Sequence, residues 1–141
     1  MTYGTDMSIE QRVAKIDLVC VMKRLKSEMG LSDADCARAE TLYRQFLVLI
    51  AKYPGRFFVA PHIADEVWHN HVLFTKKYAE DCEMMFGKFL HHYPAEDEDE
   101  DMQKPYAATV ALYQSEFGVH PAHYGLSREE FAFAARSGGN C

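Results

Sequence analysis

Apolar residues recur at three- and four-residue spacing along most of this chain, and helix-ending signals close the runs. Ser8-Ile9-Glu10-Gln11 reads as a capping box, after which Ile9, Val13, Ile16 and Cys20 keep helical phase. Leu18, Val19, Val21 and Leu25 widen that face, so the spacing predicts one long central helix from Ser8 to Gly30. Ser32 or Asp33 starts a second, with Leu42, Phe46, Leu49 and Ile50 on its apolar face until Tyr53-Pro54-Gly55 stops it. "RFFVAP" is β-prone but no partner strand is visible, so an extended connector is expected.

A third helix follows over about 63–74, then a fourth over about 76–86, capped by Thr75 and closed by Gly87. Pro105 opens a fifth that ends near Gly118. Ser127-Arg128-Glu129-Glu130 is a second capping box, opening a short last helix before "SGGNC". The expected fold is all-α: one compact domain of five to six helices in an irregular bundle. That domain should span 1–136, with an acidic loop at about 95–103 and a flexible glycine-containing tail at 137–141.

Charge narrows the function. The net charge is −6, and the run Glu96 to Asp101 accounts for all of it, since 15 basic and 21 acidic residues balance once those six are removed. With no basic stripe for phosphates, nucleic-acid binding is not expected. The run lacks the spaced ligands and glycine turn of a calcium loop, so it reads as a solvated loop. No segment is apolar enough to span a membrane and the start has no signal-peptide character, which makes the cytoplasm the expected location. Cys20, Cys36, Cys82 and Cys141 form no C-x-x-C pair, arguing against zinc-finger sites and for reduced thiols.

The chemistry-bearing stretch is "DEVWHNHVLF", residues 65–74. On a wheel of 100° per residue, Ile63, Val67, His71 and Phe74 fall within about 80° of one another on the apolar side. Asp65, Glu66 and His69 gather elsewhere, and His69 points about 160° away from His71. An unbroken helix cannot aim both rings at one ion, so the two histidines have different work. His71 is expected to be buried and hydrogen-bonded to a polar partner such as Tyr78. His69 stands one turn from Asp65 and Glu66, where a carboxylate fixes its tautomer or shares a ligand with it; its plainer role is an exposed histidine beside helical acids. Trp68 is read first as core and second as a pocket wall.

Several motif matches fail. His69-Asn70-His71 is not the HNH nuclease signature, whose letters are spread over a ββα unit absent here. Glu66-x-x-His69 matches half of a di-iron motif that has no second copy. Neither H-E-x-x-H nor C-x-x-C-H occurs. Four of the five remaining histidines fall in pairs, His91 and His92 beyond Gly87 and His120 and His123 in a loop, and His62 is one more. A return of the chain after Gly87 would bring His91 or His92 back to His69. Asp65, His69, His91 and His92 are therefore the metal-ligand candidates, for a divalent transition metal such as zinc. Cys82, in stripe with Tyr78 and Met85, is read as a small buried hydrophobe.

Pro61, Asp65, Trp68-His69-Asn70-His71, Tyr78, Asp81-Cys82 and Gly87 together resemble the pattern of the glycine-rich domain-containing protein family, and "FGKFLHHYP" looks like its short bacterial members. The resemblance covers about residues 54–94. It implies a helical domain with no established reaction or ligand, and the RNA-binding segments of some plant members have no counterpart here. The glycine-rich tail that names the family is at most the remnant "SGGNC".

Two functions follow as expectations. The first is a ligand- or partner-binding module on the Trp-His-x-His helix, with Trp68, His69, His71, Tyr78 and Cys82 as binding candidates. The second is a metal site, or a metal-dependent enzyme, in which His69 works with Asp65 or Glu66 and with His91 or His92. A metal-free acid–base enzyme on His69 ranks below both, since no nucleophile–base–orienter set can be assembled.

Overall fold

The computed structural model describes residues 7–92 and 103–124. Six α-helices run in order: α1 (Ile9–Ala14), α2 (Val19–Met29), α3 (Asp33–Lys52), α4 (His62–Leu73), α5 (Thr75–Phe86) and α6 (Gln103–Phe117), followed by a short 3-10 turn at Pro121–Tyr124. No strand occurs among the described residues, and the arrangement is an all-α irregular bundle. No described helix is long and apolar enough to cross a membrane.

The spine is α3, which packs against α1, α2, α4, α6 and the 3-10 turn. Its start is set by Ser32, whose Oγ accepts from the Asp35 amide at 3.0 Å, with Asp33 and Asp35 placed where the helix dipole favours negative charge. Its end is set by Pro54, which pushes Tyr53 out of helical backbone to φ −125°, ψ 65°. Ala39, Leu42, Tyr43, Phe46, Leu47 and Leu49 are all but sealed from solvent along its length. Phe46 lies at the centre, edge-to-face with Phe58 at 6.2 Å and tilted against Trp68 at 5.3 Å.

The long first helix expected from Ser8 to Gly30 is two helices. The capping box is present: Ser8 Oγ accepts from the Gln11 amide at 3.1 Å, and Gln11 Oε1 accepts from the Ser8 amide at 2.8 Å. The chain then leaves the helix at Lys15, where the Asp17 carboxylate accepts the Val19 amide at 2.9 Å and offers the backbone an alternative to the helical ladder. Arg44 of α3 donates to the carbonyls of Val13 and Ile16, both at 2.7 Å, and so ties the end of α1 and the break after it to α3. The break also shifts the phase: Leu18, Val21, Met22 and Leu25 go inside, while Val19 and Cys20 are exposed.

Smaller differences have local causes. Thr75 is the first residue of α5 rather than its cap; Phe74, at φ −86° and ψ 74°, makes the corner between α4 and α5. Helix α6 begins two residues before Pro105, within whose first turn the missing proline N–H goes unnoticed. After a turn at 53–55, the connector 56–61 forms no strand and has no regular secondary structure. The acidic run 96–101, the last capping box at 127–130, Cys141 and the tail at 137–141 lie outside the described residues.

Candidate site around the fourth helix

Helix α4 is unbroken from His62 to Leu73, so its two histidines do point apart. Inward, His71 is sealed from solvent. Its Nδ1 lies 2.7 Å from the Tyr43 hydroxyl of α3, and its Nε2 lies 2.8 Å from Asp81 Oδ2 of α5. Lys77 holds the same carboxylate oxygen at 3.0 Å. Burial pushes the Tyr43 hydroxyl well above its ordinary pKa, so it remains a proton donor. Tyr78, the partner expected for His71, instead packs edge-to-face on its ring at 4.8 Å.

Tyr78 has other hydrogen-bonding work. It accepts from the Trp68 indole N–H at 2.9 Å and donates to the Leu90 carbonyl at 2.6 Å. This chain of bonds fixes the segment after Gly87 against α4 and α5. Gly87 makes the turn possible by adopting φ 73°, which a side chain resists. Cys82 is completely buried in the same stripe, and burial raises its thiol pKa, so it behaves as a packing group and not a thiolate. Of the five binding candidates, Trp68, His71, Tyr78 and Cys82 thus lie in the core, and only His69 is half-buried at its edge.

The return of the chain brings His92, but not in the way foreseen. Its ring packs tilted against Trp68, at 48° with centroids 4.1 Å apart, and its Nε2 lies 2.8 Å from Asp65 Oδ1. That Asp65 oxygen had been expected to serve His69. His91 is exposed and packs on Phe89 with ring centroids 4.9 Å apart. Among the described residues no group of three or more His, Cys, Asp or Glu side chains is arranged to hold a metal ion. Asp65, His69, His91 and His92 are therefore not assembled into the metal site that their spacing suggested.

The outward flank of α4 carries one perturbed group. Glu66 is half-buried beside Asp65 and near Glu28 of α2, and desolvation first, then those two carboxylates, pushes its pKa up to about 7. Two further residues went unnoticed in the sequence. Tyr43 gave only an apolar-face signal on α3, and the carbonyl of Leu90 gave none.

With the geometry in place, the comparisons decide the family. The sequence pattern of the UCP032817-like family matches residues 12–113. The chain belongs to that family. It is an uncharacterised family, and it replaces the glycine-rich domain family suggested by the Trp-His-x-His pattern. The physical reason for the mistaken resemblance is plain. Trp68, His71, Tyr78 and Cys82 are packing positions and Gly87 is a helix stop, and unrelated helical cores reuse such positions. Neither a curated protein nor a solved structure matches the chain. The family match takes in α2 to α5 and most of α6, including all of the network around α4.

Proposed function

We propose that this member of the UCP032817-like family is a binding module whose receiving surface is the outward flank of α4 together with the returning segment at 87–92. The observation that carries the reading is the placement of His92. It meets Asp65, 27 positions earlier in the chain, and packs tilted against Trp68 at the edge of the core. Side-chain exposure is 13% for His92 and 43% for Asp65, so the ring is mostly covered and holds a carboxylate that stands partly in water as an acceptor for a ligand. The inward residues of α4 have a supporting role. Their bonds to Tyr43, Asp81, Tyr78 and Leu90 hold the flank in one geometry, which reduces what a ligand must order on binding.

The metal alternative needs a third protein ligand beside Asp65 and His92, and the described residues arrange none. The module reading is tested by NMR shift mapping of 15N-labelled protein against a basic peptide, an acidic peptide and zinc chloride. At least one is expected to shift Asp65, Glu66, His69 and His92 together, with His92→Ala abolishing the response while far-UV circular dichroism stays unchanged. Shifts confined to other helices, or none with any probe, contradict it.

A further inference from the structure

Two buried side-chain polar atoms lack a hydrogen-bond partner among the described residues, His62 Nε2 and Asn70 Oδ1, and both sit on α4. With Glu66 between them they occupy positions i, i+4 and i+8, a stripe about 80° wide and about 12 Å long. Asn70 is wholly buried. Helical side chains lean toward the N-terminus, and its Nδ2 donates to the Glu66 carbonyl at 2.9 Å, so its amide lies over the turn of Glu66. That bond fixes which end of the amide is which and leaves Oδ1 as an acceptor with no donor. Burying such a group unmet is costly, and native proteins keep few of them.

Resting on the module reading above, we propose that the stripe His62–Glu66–Asn70 is a subsite for an organic cation carrying N–H donors, an alkylammonium or guanidinium group. Asn70 Oδ1 and the Glu66 carboxylate are acceptors spaced along a line, and His62 Nε2 adds a third in its Nδ1–H tautomer, which suits a cation with several N–H bonds. A metal ion would need its ligands converging on a point, an arrangement the described residues lack. The groups acting electrostatically on Glu66 are both acidic, Asp65 on its own helix and Glu28 on α2. Glu28 is paired with Arg24 at 3.1 Å. From α3 and α5, Tyr43 and Asp81 meet α4 on its inward side through His71. An incoming cation restores the ionised form of Glu66, and swinging that flexible carboxyl aside opens the approach to the buried amide. The protein's net charge of −6 adds long-range attraction.

The test is titration calorimetry of the full chain with spermidine and, separately, with a short lysine- and arginine-rich peptide, each at pH 8 and pH 5.5. Because Glu66 must be ionised to bind, affinity should be at least about tenfold weaker at the lower pH. Glu66→Gln, which keeps shape and removes the charge, should weaken binding at pH 8 at least about tenfold and reduce the pH dependence. The arm that binds more tightly identifies the source, a free polyamine or a basic chain. A Glu66→Gln protein that binds as tightly as wild type overturns the subsite, even if shifts at Asp65 and His92 still support the module. No heat with either cation also overturns it, and shifts at α4 caused by an acidic peptide or zinc would then leave the module reading standing.

Discussion

His71 has no water to turn to, so both ring nitrogens must be met inside the protein. Asp81, which also pairs with Lys77, accepts from Nε2–H, and the Tyr43 hydroxyl then donates to Nδ1; the Nε2–H tautomer satisfies both contacts at once. Tyr43→Phe leaves Nδ1 buried and unmet, and is expected to lower stability by about 1–3 kcal/mol in urea denaturation. A loss below about 0.3 kcal/mol would mean that the hydroxyl contributes nothing. Glu66 gives a pH prediction of defined sign. Its pKa rises from an ordinary 4.5 to about 7 on folding, so between those values the native protein holds a proton that the unfolded chain has released. This stabilising contribution is fully present below pH 4.5 and is lost as pH rises through 7. Thermal melts from pH 4.5 to 8 should therefore show Glu66→Gln gaining on wild type as pH rises; parallel curves would contradict the placement of that carboxyl.

Two joints between helices do more than connect them. Gly87 ends α5 at φ 73°, and a Cβ added there meets no heavy atom within 4 Å, so Gly87→Ala strains backbone alone. About 1–2 kcal/mol of destabilisation is expected, with faster amide exchange in 88–92 because the return segment loses its preferred turn. The α1–α2 joint depends on Arg44. Arg44→Met removes the side-chain donor from both the Val13 and Ile16 carbonyls, with only the Ile16 amide remaining on Val13, so hydrogen exchange should rise first in α1, ahead of α3. That joint also marks where sequence stops being informative. Ser32, Gly30, Pro54 and Gly87 act through their own backbones, and their helix ends were readable. The break at Lys15 was not, because it combines the local Asp17 contact with an arginine 28 and 31 positions from the carbonyls that it holds.

Around a single buried cluster, α3 supplies the spine and Phe46 its centre, so Phe46→Ala should be the severest single truncation, at about 3–5 kcal/mol. The all-α architecture was legible because helical spacing is local. The site was legible only in part. Spacing on α4 separated His71 from His69, and the burial of Tyr78 and Cys82 followed from their stripe. The pairings Tyr43–His71 and Asp65–His92 join residues 28 and 27 positions apart, and nothing local specifies them. The same limit explains the wrong family: a pattern of packing residues was taken for the mark of a function. The account depends on α4 keeping its inward residues as fixed support and its outward flank as the receiving face. The most direct test is a long-range 1H–15N spectrum of the histidine rings, recorded with and without a basic peptide. His71 should show the Nε2–H tautomer and stay unmoved while His69 and His92 shift; a His71 signal that moves with them, or one showing Nδ1–H, would contradict the account.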